Sequence, residues 1–442
     1  MVSMSLSNAA TILVTMFVLS VLPGPRIALV VAQEAYSHTD GQEQVDHQER
    51  PLFGVQRWDM FSGLGATQKQ ELGYLPGAQA FLKPEEFHHR APFFTRRTED
   101  VTWVEHPKNS GPLWFNHPYD PDLLQQTMDQ EIDFATDAGI DFFIFNGPAR
   151  ALVGPGGYGL NHNLDAYMKN TRRDKVKFVR ALFGHRSMGY SRSSVHLMLD
   201  QIFTYMKSPF WQTVQDGRPL LPILRPLMFE AQLAAQKNSD ERMTLAQFIQ
   251  LIRSKAKAQG LGNPYIVGYE ISRTHKHKEK FERDGLDAFS DYAGSYGGSD
   301  SARDDSPSYA SATDEMIRVW QDNAVSDQQG IDYVPAMSIA QYPWPRAKSE
   351  NWYHYQNPLL GEISERVKKT YEFIEQNKQK GCASIVISYS WNEHSEGGAI
   401  NPTMGSSPDY RPNTRWLDEV SMGLPWQSPR KAELMNKNRE NR

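Results

Sequence analysis

The sequence predicts an α/β protein: a (β/α)8 TIM barrel with a long structured insertion after strand one. Eight short apolar runs alternate with amphipathic segments of helical length. That alternation implies parallel strands joined by right-handed crossovers. Eight strands in a chain of 442 residues suit one large closed barrel better than a doubly wound open sheet.

The expected strands are Phe53–Met60, Asp141–Asn146, Val176–Phe183, Leu220–Arg225, Tyr265–Ser272, Leu286–Tyr292, Tyr333–Ala340 and Ser384–Trp391. The helix over Asp120–Ala138 opens on Asp-Pro-Asp and closes at Gly139. Ser193–Met206, Thr244–Gly260, Ala310–Val325 and Pro358–Gly381 follow the same style. The sixth run is the most polar, and the link leading into it is short for a full helix. The insertion Phe61–Tyr119 carries Tyr74, Trp103, Trp114 and several phenylalanines, which fits a structured lid over the barrel mouth.

The ends read differently. Ala9–Leu22 is apolar but too short for a comfortable bilayer span. Pro23-Gly24-Pro25 breaks it, and Val30-Val31-Ala32 supplies small or apolar residues for a cleavage site. Residues 1–32 are therefore expected to be a secretory signal peptide. No Lys or Arg precedes the apolar run and Arg26 follows it, which leaves an uncleaved anchor as the alternative. Residues 33–50 read as a polar linker, 51–426 as the catalytic barrel and 427–442 as a disordered tail. No other segment is apolar and long enough to span a membrane, so a secreted or periplasmic location is expected.

Lys and Arg total 47 against 52 Asp and Glu, a formal charge of -5 without the basic excess that nucleic acid demands. With 39% hydrophobic and 22% charged residues the chain is globular. The one cysteine, Cys382, excludes an intramolecular disulfide and a Cys-based zinc cage, and the Ala-Ser-Ile-Val-Ile after it reads as a buried strand. No metal or cofactor is expected. His275-Lys276-His277 and His88-His89 read as loop residues, and Ser299–Pro307 matches no ordered calcium loop. Val153–Gly157 lacks the Lys-Ser/Thr of a phosphate loop, and no Gly-x-Ser-x-Gly elbow appears.

In such a barrel, function belongs at the C-terminal ends of the strands. Those ends carry Trp58, Asp59, Asn146, Arg225, Glu270, Asp291, Tyr342, Trp344, Trp391 and Asn392, the candidate substrate contacts, with His185, Arg186, Tyr292 and Gln341 beside them. Aromatic faces give platforms for the C–H faces of sugar rings, while carboxylates and amides bind hydroxyls. Glu393 and Glu396, leaving the last strand before Gly397-Gly398, are the candidate catalytic pair. Two carboxylates held close cannot ionise independently and separate into an acid and a base, the division of labour that glycosidic cleavage needs.

The stretch Ile385–Gly397 (IVISYSWNEHSEG) resembles the strand-eight signature of glycoside hydrolase family 99 and its WbsX-like relatives, which carry Trp-Asn-Glu, two residues, then Glu-Gly. Ser208–Trp211 followed by Asp216–Pro222 is similar to that group's Pro-aromatic and Asp-Gly-Arg/Lys-Pro-Val segment, and Asp137–Asp141 to its Ala-Gly-Ile-Asp step. The resemblance implies a (β/α)8 fold and endo-acting α-mannosidase chemistry; the related family 71 holds α-1,3-glucanases. It implies that Glu393 deprotonates the sugar 2-hydroxyl, which attacks C1 to give a 1,2-anhydro intermediate, and that Glu396 is general acid and then base. His394-Ser395 stands where the relatives usually carry Trp-His, and Gln56–Asp59 where they tend to show a tyrosine-rich segment. Both departures touch the sugar-contacting surface, so mannan specificity does not transfer. The expected partner is a carbohydrate. The alternatives are a WbsX-like glycan-biosynthesis enzyme, disfavoured by the export signal and the missing sugar-nucleotide phosphate site, and a non-catalytic glycan-binding barrel.

Overall fold

The computed structural model describes residues 50–59, 82, 85–97, 113–114, 121–147, 162–184, 190–236, 240, 242–271, 274–293, 307–324, 330–339, 355–405 and 411–440. The expected signal peptide, nearly all of the linker and most of the Phe61–Tyr119 insertion lie outside these residues. Of the insertion, Glu85–Arg90 forms a 3-10 turn, and β2 (Arg96–Arg97) pairs antiparallel with β3 (Leu113–Trp114).

All eight apolar runs hold strands. They are β1 (Leu52–Arg57), β4 (Phe142–Phe145), β5 (Lys177–Arg180) with β6 (Leu182–Phe183), β8 (Arg218–Leu224), β9 (Tyr265–Glu270), β10 (Ala288–Asp291), β11 (Asp332–Tyr333) with β12 (Ala336–Ser338), and β13 (Ile385–Tyr389). The pairings among them are parallel. A short β7 (Thr213–Val214) adds antiparallel to β8. One sheet runs β12-β13-β1-β4-β5 and the other β11-β10-β9-β8-β6.

Two runs are shared between the sheets. Lys177–Arg180 pairs with β4; after Ala181 alone, Leu182–Phe183 pairs with β8. Likewise Asp332–Tyr333 pairs with β10, and Ala336–Ser338, beyond Val334-Pro335, pairs with β13. Pro335 has no N–H to give a ladder; its carbonyl accepts from Ile387 N at 3.0 Å. Every residue of β4 and β13 is buried, as expected of parallel strands covered on both faces.

The five expected helices are present as α1 (Pro121–Ala138), α3 (Arg192–Met206), α5 (Leu245–Ala258), α7 (Tyr309–Ala324) and α8 (Glu362–Asn377), and three further helices, α2 (His162–Lys169), α4 (Pro226–Ala234) and α6 (Lys278–Arg283), join them. Thr244 and Gln247 form a reciprocal capping box on α5. The short link before β10 holds a 3-10 turn, Thr274–His277, and the six-residue α6. After α9 (Arg415–Gly423), the region expected to be a disordered tail is instead α10 (Pro429–Glu440). It buries none of its residues, which is why composition reads it as frayed. Ser428 Oγ accepts from Lys431 N at 3.1 Å, and Arg430 Nε reaches Asp418 at 2.6 Å. Capping and charge hold this helix in place of apolar burial. Among the described residues no helix is long and apolar enough to cross a membrane.

Gly54 shows how tightly β1 and β4 pack. A Cβ there would stand 2.1 Å from the ring of Phe142, its register partner, in a fully buried layer. Gly54→Ala is expected to destabilise the fold by about 1–3 kcal/mol, the usual scale of overpacking. Urea denaturation reads this directly, and an unmoved midpoint would show that the ring swings aside.

Candidate active site

The site is built on the exit of β13. The chain turns through Ser390, whose Oγ accepts from Glu393 N at 3.0 Å, and into a 3-10 turn, His394–Glu396. Gly397 closes that turn at φ 70, where a side chain would be strained. The returning strand is zipped to the outgoing one: Ser390 N donates to Gly398 O at 3.0 Å, Ile400 N to Ser390 O at 3.0 Å, and Asn401 N to Trp391 O at 2.8 Å. Residues 390–401 thus form one closed, hydrogen-bonded loop.

Glu393 and Glu396 act on the same two tyrosines. Glu393 is 3% exposed, while Glu396 is half-buried and accepts a short hydrogen bond from the Tyr389 hydroxyl. Burial first, then Glu393 and Glu396, hold the Tyr292 hydroxyl well above the ordinary phenol range. Burial, then Glu396 and Glu393, do the same to Tyr389. Both phenols therefore stay protonated donors beside the carboxylates. The Tyr292 and Tyr389 rings lie 5.0 Å apart, and Tyr269 stacks nearly parallel to Tyr292 at 6.4 Å. Half-buried Trp58 meets Phe183 edge-on at 5.2 Å and borders Tyr292.

Behind the loop lies a buried ionic cluster. Glu131, from α1, takes three donors: Trp391 Nε1 at 2.9 Å, Asn401 Nδ2 at 3.0 Å and Arg57 Nη2 at 2.8 Å. Arg57 also donates to Asp59 Oδ1 through Nε at 2.9 Å and Nη2 at 2.6 Å. Its guanidinium lies 5.0 Å from the Phe143 ring centroid and 4.8 Å from that of Phe145. Asn392 completes the set, donating to Asp59 at 3.0 Å and accepting from Trp58 N at 2.7 Å. Burial pushes the Glu131 carboxyl up, and Arg57 opposes that shift.

The predicted contacts divide accordingly. Trp58, Glu393 and Glu396 are brought together. Asp59, Trp391 and Asn392 are committed to the cluster that holds the loop. Asn146 is wholly buried, donating to Gln56 at 3.2 Å and accepting from Tyr269 at 3.0 Å. Asp291 is also buried, its Oδ1 accepting from Thr274 N at 3.0 Å. Glu270 accepts from Leu227 N at 2.9 Å, anchoring the start of α4, and burial raises its carboxyl against the pull of Arg225. Arg225 itself stands at that helix start with φ 59. Tyr342 and Trp344 lie outside the described residues, as do His185, Arg186 and Gln341. Among the described residues no three His, Cys, Asp or Glu side chains cluster as a metal site would need.

Four residues that surround or brace this loop escaped sequence reasoning: Tyr389, Asn401, Arg57 and Glu131. The last two did carry a signal. Arg57 ends a strand that is buried from Phe53 onward, itself included, and Glu131 sits among Met128, Ile132 and Ala135 on the apolar face of α1. A charge on such a face requires a buried partner.

No family profile and no curated protein matches the chain. Its structural neighbours include glycoside hydrolases of several families. A GH99 endo-α-mannosidase from Bacteroides thetaiotaomicron is similar at 14% identity and a TM-score of 0.40, over 74% of this chain and 82% of that one. A glycoside hydrolase-like protein is similar at 14% identity and 0.48, over 85% and 95%. A β-galactosidase from the psychrophilic Marinomonas ef1 is similar at 11% and 0.37, over 71% and 58%. At these scores the likeness assigns neither substrate nor residue roles.

Two outcomes follow from this geometry. Glu131→Gln leaves Arg57 short of a counter-charge in a sealed site and is expected to destabilise the protein by about 3 kcal/mol. Unchanged stability in urea would show that Asp59 alone neutralises Arg57. The second concerns His394, whose Nδ1 lies 2.8 Å from Arg90 O; a carbonyl only accepts, so Nδ1 carries the proton. Burial pushes this imidazole down to about 3 from its ordinary 6.5. The unfolded chain therefore binds a proton that the folded chain refuses. The contribution of the neutral ring is complete above 6.5 and lost as pH falls toward 3, by about 1.4 kcal/mol per pH unit at the steepest. Denaturation series from pH 7 to 4 should show a shallower acid limb in His394→Gln, and an identical limb would exonerate this histidine.

Proposed function

We propose that this protein is an exported glycoside hydrolase that cleaves a polysaccharide or glycan, with Glu393 and Glu396 as its working pair. The observation that carries this reading is the pair's shared setting. Both carboxylates act on Tyr292 and Tyr389, yet one is sealed and the other is half-open. Unlike surroundings are what separate an acid from a base in a carboxylate pair.

In the mechanism we assign, Glu393 removes the proton of the sugar 2-hydroxyl as O2 attacks C1, and Glu396 gives its proton to the departing glycosidic oxygen. Water then opens the 1,2-anhydro sugar at C1, losing its proton to Glu396, while O2 regains a proton from Glu393. Configuration is retained without a covalent adduct on the enzyme. Trp58 offers a ring face to the sugar.

We further propose that the strand runs close as a (β/α)8 barrel. The sharing of two runs between the sheets supports this, since it links the neighbours of β6 to those of β5 and the neighbours of β11 to those of β12. The hydrogen bond from Tyr269 on β9 to Asn146 after β4 supports it as well, joining the two sheets through their interior. Export rests on the apolar run Ala9–Leu22.

The test is a panel of α-mannans, α-glucans and algal polysaccharides, with the anomer of the first product read by NMR. Glu393→Gln and Glu396→Gln should each lower turnover by about 10²–10⁴-fold while sugar affinity stays. Product release at the parent rate in both variants would overturn the assignment.

A further inference from the structure

On the other side of the loop that carries the two glutamates lies a small open cleft of about 200 Å³, room for part of a sugar unit rather than a whole oligosaccharide. His394 and Gly397 line it, and the His394 ring turns toward Arg90 O while the Glu396 carboxylate turns to Tyr389. The cleft is therefore separate from the tyrosine-lined setting of the pair but shares its backbone.

Its chemistry is one-sided. Among the described residues that line it there are two arginines and no carboxylate. Both guanidiniums converge on one short segment: Arg90 Nη2 donates to Asn357 Oδ1 at 3.1 Å, and Arg415 Nη2 to Pro358 O at 3.1 Å. Arg415 has a side chain 47% exposed and touches Glu419 only at 3.6 Å. The other Glu419 oxygen is engaged by the amides of Gly361 and Ile363, both at 3.1 Å. Beside Arg415 stands the half-buried indole of Trp416. Asn401, 2% exposed, also lines the cleft, its amide nitrogen held by Glu131.

A forked cation beside an aromatic face describes one kind of ligand. We propose that this cleft is a second carbohydrate-binding site, for a sugar unit bearing a carboxylate or a sulfate ester, with Arg415 taking the anion and Trp416 the ring face. The proposal rests on the reading of the protein as one that acts on glycans, and it narrows that substrate to an acidic polysaccharide. Guanidinium matches carboxylate and sulfate in a planar, two-point geometry that a neutral sugar does not offer.

Titration calorimetry on the full chain tests it with tetragalacturonate, a sulfated carrageenan tetrasaccharide and neutral maltotetraose. At least one acidic probe should bind about tenfold or more tightly than maltotetraose, and weaken as salt rises. Which acidic probe wins separates uronate from sulfate. Arg415→Gln should abolish the preference, Arg415→Lys should keep part of it, and Trp416→Ala should weaken all binding, with thermal unfolding confirming that each variant is folded. Equal affinity for neutral and acidic probes, or an undiminished preference in Arg415→Gln, would overturn the proposal. A protein that cleaves a neutral glycan yet binds neither acidic probe sinks this inference alone. Arg415-dependent binding in a protein that cleaves nothing sinks the hydrolase reading alone.

Discussion

One carboxylate holds the site together. Glu131 enters the interior from a helix and accepts hydrogen bonds from Arg57 on β1 and from both ends of the loop after β13, at Trp391 and Asn401. Each of these groups is buried, so none has water as an alternative partner. The loop is hung from two posts ten residues apart, and the turn between them has little freedom. Arg57 neutralises the post and is itself confined between two phenylalanine rings. The position of Glu393 and Glu396 is thus set by an ionic cluster on the far side of the loop from their own carboxylates.

That arrangement gives one short segment two chemically distinct faces. Toward Tyr292 and Tyr389, protonated phenols stand against carboxylates. Toward Arg90 and Arg415, a neutral histidine borders a cleft with cationic walls. A proton taken up by His394 would add a third charge to that wall with no carboxylate lining it among the described residues. Burial keeps the ring neutral.

The strands were legible because parallel strands covered on both faces must be continuously apolar, and all eight runs contain one. What pattern could not show was where Val176–Phe183 and Tyr333–Ala340 change partners, since that depends on neighbours distant in sequence. The same limit applied to the site. A polar residue at a strand exit either meets solvent or closes the top of the interior, and the two look alike in one dimension. Asp59, Asn146 and Asp291 are of the second kind, spent on Arg57, Tyr269 and the Thr274 amide. That Glu393 and Glu396 sit on a turn rather than a helix face was readable, because the apolar strand before them and the glycines after them leave no room for a helix. The C-terminal helix was missed for the opposite reason: charge and capping fix it, and neither leaves an apolar period.

The tripeptide Trp391-Asn392-Glu393 condenses the logic. Its first two side chains point back, the indole to Glu131 and the amide to Asp59, while the amide oxygen also takes the Trp58 backbone N–H. Those contacts tie the exit of the last strand to the exit of the first. The third residue is then carried forward by backbone geometry, its own N–H held by Ser390. Trp and Asn here are struts whose hydrogen-bonding capacity is consumed before any ligand arrives. Trp58, the tyrosines and the two carboxylates stand in front of this scaffold. The loop is held from behind by Glu131 and Asp59 with Arg57 between them, so the backbone that carries Glu393 is positioned by contacts made by other side chains.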